Sequence, residues 1–557
     1  MLEKKTNYMT LERMGSRYPS RLSFSRSMLR VMFKENWKLK IVKFDLDNRG
    51  YGTVVYQIDT PNKKYSLVCF SQHLDSKERS DRVIADKWDT AYTLHIGKIT
   101  KTNLERLKKN VPLQEAGRGS ENELVLSRAN KSVRLFNKVV ECLSKGMQPN
   151  IKEINDVGYL LRTTAVYGNG KFGMSDFLRT KNNTDFDQPF RAEMLAVYII
   201  REFSVDLVEH VAYQKNPSKA VKLDNKIKQH LGIGNSTGLG MAPFIIKHPT
   251  LIHKWMNQYQ KTLEKIKRKK VINKKNFDIF IQSLVKAKLY LEEVLTYDKY
   301  QKSKNYNSSK DISKLIKYCK KIASRKKINI SWTNLINYCE KNFCYDAQEI
   351  VKVQIIELFP TIADPLAENM SDNENIATNL SQKISSLLLE IKNKYNWAIN
   401  INFKDKKNTF LFWYISQEKL EPRLGERYNE NGAKLEQPLG MGRMVNELYN
   451  FIIDHPNTYK LTVAEFLLKF PNFRGIIRRI QTLSNYKYGE VHDNILAKNT
   501  VPINMLRFKL SFFGASRYDP KSDRWLRVSF FAGAPFYNYL SNKNVDSWGF
   551  ATMNSYL

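Results

Sequence analysis

Apolar residues recur at two different periods along this chain, and the changes of period divide it. Residues 21–36 set Met28, Leu29, Met32 and Phe33 at helical spacing among arginines, which predicts a basic amphipathic helix. Between residues 38 and 99 the pattern becomes strand-like. Lys38–Asp45, Gly52–Asp59, Lys64–Phe70 and Thr90–Ile96 are short β-branched and aromatic runs. Asp47-Asn48-Arg49-Gly50 and Pro61-Asn62 punctuate the first connections, so the region reads as an antiparallel meander.

From about residue 100 the period is helical. It predicts helices over 102–109, 124–145, 151–166, 190–214, 224–231, 242–270, 275–298, 311–324, 331–342, 345–358 and 376–396. Ser303–Lys310 reads as a polar linker and 360–377 as an acidic, flexible connector. Farther on, Thr409–Ser416 is an aromatic strand, and 442–454 and 462–483 are helical. Residues 504–533 form a long hairpin with arms Met505–Phe513 and Trp525–Phe531. No repeat of fixed period occurs. The expected fold is α+β, a mainly helical middle with antiparallel sheet near both ends. Its expected parts are an N-terminal helix and meander (1–112), a helical region with glycine-rich loops and basic helices (113–360), a connector (361–377) and a C-terminal α+β region (378–557).

Charge adds a sign to this picture. Lys and Arg number 91 against 55 Asp and Glu, a formal +36, which favours polyanions unless it only decorates solvent faces. Cys69, Cys142, Cys319, Cys339 and Cys344 form no Cys-x-x-Cys pair, as expected of reduced thiols. The N-terminus has no apolar signal core, and no apolar run approaches the ~20 residues that span a bilayer, so a soluble, cytoplasmic protein is expected.

Two glycine-dense stretches resist a reading as packing alone: Tyr167-Gly-Asn-Gly-Lys-Phe-Gly and, at 232–240, Gly-Ile-Gly-Asn-Ser-Thr-Gly-Leu-Gly. Glycine at such density marks positive φ or a backbone approached closely. Backbone N–H groups freed there suit an anion. The second stretch lacks Gly-x-x-x-x-Gly-Lys-Ser/Thr and follows no clear buried strand, so neither a phosphate loop nor a dinucleotide fingerprint is met. Asn235, Ser236 and Thr237 are N-cap types and would open the next helix. In the first stretch Asn169 and Lys171 would join Arg162, Thr163 and Tyr167 from the end of the predicted helix 151–166. A tight interhelical crossing is the competing explanation.

The segment 416–427 sets Glu418, Glu421 and Glu426 among Arg423 and Arg427, directly after an aromatic strand. The carboxylates suit acid–base or orienting work and the arginines an anion, although a surface ion-pair ladder has the same pattern. Upstream, Ser127–Arg134 reads as the basic face of a helix. Glu202, Asp206 and His210 share one helix face and would hold a metal or relay a proton, but ordinary pairing explains them better. The eight histidines have no metal-site spacing.

These readings converge on a soluble enzyme, a transferase, lyase or hydrolase, acting on a small anionic substrate or cofactor (carboxylate, phosphate or nucleotide-like). Lys171 and the three glutamates are its catalytic candidates, and no particular cofactor or metal is indicated. The alternative is an RNA- or DNA-binding protein using the basic 254–330 helices and the aromatic, basic hairpin around Phe508–Arg527.

Overall fold

A computed structural model describes residues 16, 19–75, 77, 88–112, 120–163, 183–235, 249–269, 272–294, 299–325, 330–370, 377–405, 413–416, 422–424, 436–438, 441–486, 510–519 and 527–549. The fold is α+β. The chain divides into two units, one of residues 1–238, 258–371 and 502–557, the other of 239–257 and 372–501.

A nine-stranded mixed sheet organises the first unit. Strands β1 (Lys38–Leu46), β2 (Gly52–Asp59), β3 (Lys64–Ser71) and β4 (Thr90–Ile96) form the expected antiparallel meander. The Asp47 carboxylate sets its first turn by accepting from the N–H groups of Arg49 (2.9 Å) and Tyr51 (2.8 Å), while Gly50 takes φ +79°. Strand β1 is the sheet edge; its lysines and a bulge between Ile41 and Lys43 protect it from pairing further.

The helical expectation then fails twice, each time because a partner strand overrides local period. Residues 124–145 split into strand β5 (Glu123–Lys131), paired along β4, and a helix Phe136–Ser144. Residues 151–166 split into a helix Ile151–Val157, which Gly158 ends in the left-handed region (φ +76°), and strand β6 (Tyr159–Thr163). Strand β7 (Gly232–Asn235) lies parallel to β6, and the remainder of the chain closes the sheet. Strand β11 (Ala515–Asp519) pairs with β12 (Arg527–Phe530), and β12 pairs antiparallel to β7. The two expected sheet regions are therefore one sheet. The first arm of the expected hairpin begins at Ala515; residues 510–513 are a helical turn.

Helix Arg191–Lys215 covers one face, with Phe203 edge-on to Tyr92 at 5.8 Å. Its buried Arg201 donates to the carbonyls of Leu231 (2.6 Å) and Ala534 (2.8 Å), with the guanidinium 3.8 Å over the Phe536 ring. On the opposite face Leu107 of helix Lys101–Asn110 packs with Val55, Val68, Phe70 and Ala91.

Ser303–Lys310, expected as a linker, lies inside helix Lys299–Ala323. The buried stripe there is polar: Asn305, Ser308 and Ser309 point inward, and Ser309 donates to Glu292 at 2.9 Å. Likewise Pro360–Glu368, within the expected connector, is helical. Three buried arginines of the N-terminal segment hold this region. Arg26 reaches Glu357 (2.5 Å) and Asp546 (3.2 Å), Arg21 reaches Asp364 (2.6 Å), and Arg30 reaches Asp546 (3.1 Å).

The second unit has its own core, including Leu387, Ile391, Val445, Leu448, Phe466 and Ile477. The predicted helix 462–483 is interrupted at Pro471 into Val463–Lys469 and Arg474–Asn485. A small sheet comprises strands β8 (Trp413–Ser416), β9 (Pro422–Leu424) and β10 (Glu436–Pro438) in the order β10-β8-β9.

Replacing Arg26 with Met removes the fully buried cation that Glu357 and Asp546 share, leaving Arg21 as the one that still reaches both. It should destabilise the protein by about 3–5 kcal/mol in urea unfolding. Burial pushes the Asp546 carboxyl up, but Arg26, Arg30 and Arg21 overcome this and hold it at about 2. Its stabilising contribution is thus full above pH ~4 and is lost as pH falls through 2.

Candidate functional site

The parallel pairing of β6 and β7 brings two distant segments to one place. Parallel strands end at the same edge, so Thr163 and Asn235 are neighbours, and the Asn235 side chain donates to the Thr163 carbonyl at 3.0 Å. Both glycine-dense stretches continue the chain from these two ends. Behind the edge, Thr163 shares a 2.5 Å hydroxyl contact with Ser127 of β5. Arg162 and Thr163 therefore sit on a strand, where successive side chains point to opposite faces, and not on a helix end as expected.

The glycines inside β7 answer part of the question that their density raised. A Cβ on Gly232 would lie 2.4 Å from the Phe530 carbonyl oxygen, and one on Gly234 would lie 2.6 Å from Cγ of Tyr159. These two glycines admit a neighbouring strand and a ring. The first four residues of that stretch are themselves a buried strand, and a short helix, Asn225–Lys228, precedes it.

One rung of the sheet carries almost no apolar side chain. Cross-strand partners run Asn130 (β5) to Arg162 (β6), Gly234 (β7), Ser529 (β12) and Arg517 (β11). Direct partners share a face, so these residues form a polar row across five strands. Asp89 extends it, its N–H donating to Asn130 Oδ1 at 2.8 Å. The residues from Asp89 to Ser529 are buried and Arg517 is half-buried. Arg128 lies on the same face two residues before Asn130, and burial lowers its guanidinium to about 10.

Three side chains complete the site. The Tyr159 ring stands over Gly234; the residue is 1% exposed, and its hydroxyl has no hydrogen-bond partner among the described residues. Arg517 passes Gly158, where a Cβ would lie 3.1 Å from its Cδ, and donates to Asn155 Oδ1 at 2.5 Å. His230 Nδ1 meets the same oxygen at 2.9 Å. An arginine only donates, so that atom must be the amide oxygen, and Nδ1 must carry the imidazole proton. Nε2 is then the acceptor of a neutral ring. Burial, followed by the charge of Arg517, lowers the His230 pKa to about 4.

Of the residues expected in a site, Thr163 and Asn235 meet at the strand edge, and Arg162 precedes Thr163 on the opposite face of the sheet. Tyr167, Asn169, Lys171, Ser236, Thr237, Glu418, Glu421, Glu426 and Arg427 lie outside the described residues. Arg423 has its backbone in β9, opposite Tyr414 of β8, and its side chain is likewise outside the description. Glu202, Asp206 and His210 serve three separate neighbours. Glu202 accepts from the Tyr537 N–H (2.7 Å), Asp206 accepts from the Tyr56 hydroxyl (2.5 Å), and His210 Nε2 meets the Asp47 carbonyl (2.8 Å). Phe512 and Phe513, expected on the nucleic-acid hairpin, are buried against Phe24 and Phe190 and offer no stacking surface. Sequence reasoning missed Tyr159, His230 and Ser529, and it assigned Asn130 to a basic helix face and Arg517 to the nucleic-acid hairpin. The alternation Leu124, Leu126, Arg128, Asn130 was available, but the helical reading of 124–145 hid it.

No family model matches the chain, and no curated protein or solved structure does.

Gly234→Ala must displace the Tyr159 ring and should cost about 1–3 kcal/mol in chemical denaturation. Two buried groups give opposite pH signatures. The folded pKa of His230 lies below its unfolded value, so its contribution is full above pH ~6.5 and is lost as pH falls through 4. Burial raises Glu202 to about 7, so stability is lost as pH rises from ~4.5 through 7. In denaturation curves across pH, His230→Gln should flatten the acid side and Glu202→Gln the neutral side.

Proposed function

We propose that the protein is an enzyme acting on a small anionic ligand (carboxylate, phosphate or nucleotide-like) held on the polar row of β5, β6, β7, β12 and β11. The row itself is the observation that carries this reading. A buried sheet face normally holds apolar side chains, because each polar group taken from water must find a partner. Here one rung holds two arginines with a side-chain-free position between them, filled by the ring of a buried tyrosine whose hydroxyl has no partner among the described residues. Strands are ~4.8 Å apart, so the backbones of Arg162 and Arg517 lie about 14 Å apart across the sheet. Side chains from both sides can converge beside the Tyr159 ring on one group. Guanidinium forks suit carboxylate and phosphate oxygens, and the Tyr159 hydroxyl would donate to the same anion.

The strand edge supports the reading too. Ser236 directly follows Asn235, and Tyr167, Asn169 and Lys171 begin four residues beyond Thr163, which is at most ~14 Å of extended chain. These residues remain the candidates for backbone and side-chain donors above the row. His230, neutral at pH 7, offers Nε2 to the site as a hydrogen-bond acceptor.

A thermal melt against phosphate, carboxylates and nucleotides tests the proposal. A ligand at 100 times its dissociation constant stabilises by ~2.7 kcal/mol, which is a rise of several degrees. Tyr159→Phe separates ligand binding from structure. Losing an unpartnered hydroxyl should leave the ligand-free melt unchanged or higher, yet weaken the ligand roughly 2- to 12-fold. Arg517→Gln should remove the ligand shift. No shift with any ligand of the panel would contradict the proposal, as would an unaltered shift in both variants.

A further inference from the structure

A second, separate site lies on the helical part of the same unit. Helices Lys274–Glu293 and Lys299–Ala323 run together and leave a groove of about 760 Å³ between them, with Leu291 and Val294 in its wall. The chemistry of the groove comes from one helix. Lys302, Tyr306, Lys310, Lys314 and Lys317 line it at steps of three and four residues, so they form one stripe. The stripe spans about 22 Å at 1.5 Å per residue.

The acids nearby are already engaged. Glu292 accepts from Lys288 (2.7 Å) and Ser309 (2.9 Å), and Asp311 holds Lys314 (3.2 Å) and the Cys344 N–H (2.9 Å). Lys302, Lys310 and Lys317 are exposed and make no ion pair or hydrogen bond among the described residues. Tyr306 stands one turn from Lys302 on one side and one turn from Lys310 on the other, and 67% of it is exposed.

We infer that this groove binds single-stranded nucleic acid, with the lysines on successive phosphates and Tyr306 stacking on a base. An exposed large aromatic loses favourable burial unless something covers it, and a ring set between cations matches the alternation of base and phosphate along a single strand. A base-paired duplex hides its base faces. A membrane surface would call for an apolar stripe beside the cations, and this stripe holds one tyrosine.

The test is fluorescence anisotropy with the full chain and labelled oligo(dT) of about 12 nucleotides, titrated over a range of salt. Three variants are compared: K302Q/K310Q/K317Q, Tyr306→Ala, and K101Q/K108Q/K109Q as a charge-matched control on the exposed side of another helix. All are surface changes, and their melts verify folding. The groove triple should reduce the slope of log K against log salt by about 2, since each single-strand phosphate contact contributes ~0.7. Tyr306→Ala should weaken binding by roughly 5- to 150-fold. The control triple should change the slope by much less. Absent binding overturns the inference, as do equal slope losses in the two triples or an unaffected Tyr306→Ala. Binding to vesicles of anionic lipid that is lost in the groove triple, with no oligonucleotide binding, overturns it in favour of a membrane surface.

Discussion

The pairing of β7 between β6 and β12 is the constraint on which the first unit depends. It is the junction through which a meander begun at Lys38 and a hairpin ending at Phe530 become one sheet. The junction is only four residues long, and two of them are glycines because backbone and ring atoms occupy the space of a side chain. Arg201 reinforces it from the covering helix by bonding carbonyls just before β7 and just after β12. A residue with a Cβ at Gly232 would press on the Phe530 carbonyl and separate the strands whose contact defines the fold.

The same pairing fixes the register that lines up Asn130, Arg162, Gly234, Ser529 and Arg517. A one-residue slip of any of these strands would turn its side chain to the opposite face. A row of buried polar groups is costly when partly satisfied, and it rigidifies a core when fully satisfied. Asp89, Asn130, Asn155 and His230 show the satisfied part, in bonds of 2.5–2.9 Å. Among the described residues the Tyr159 hydroxyl finds no hydrogen-bond partner, and the root of its ring lies over Gly234. A ligand would complete the set. The three-arginine cluster around Arg26 is a useful contrast, since acids from three segments meet its charges.

Legibility in the sequence followed the range of the interactions. Strands β1 to β4 were legible because strong local turns and alternating β-branched residues agree with the final pairing. Helices such as Arg191–Lys215 were legible from their apolar period. Strands β5 and β6 were not: their sequences suit a helix, and only pairing with β4, with each other and with β7 makes them strands. Ser303–Lys310 misled for a different reason, because its buried stripe is polar and reads as a linker. The site divides in the same way. Arg162, Thr163 and Asn235 stood out beside dense glycine, a local signal. Arg517, Ser529 and His230 enter through registers that no local pattern encodes. Tyr159 is an ordinary strand tyrosine until Gly234 is placed beneath it.

The central claim is that the polar rung is built around an anion, and a crystal structure grown with selenate tests it most directly. The expected result is an anomalous peak on the polar rung beside the Tyr159 ring, with oxygens at hydrogen-bonding distance, ~2.7–3.1 Å, from the guanidiniums of Arg162 and Arg517 and from the Tyr159 hydroxyl. A rung closed entirely by contacts within the chain, with selenate bound only at surface lysines, would contradict it.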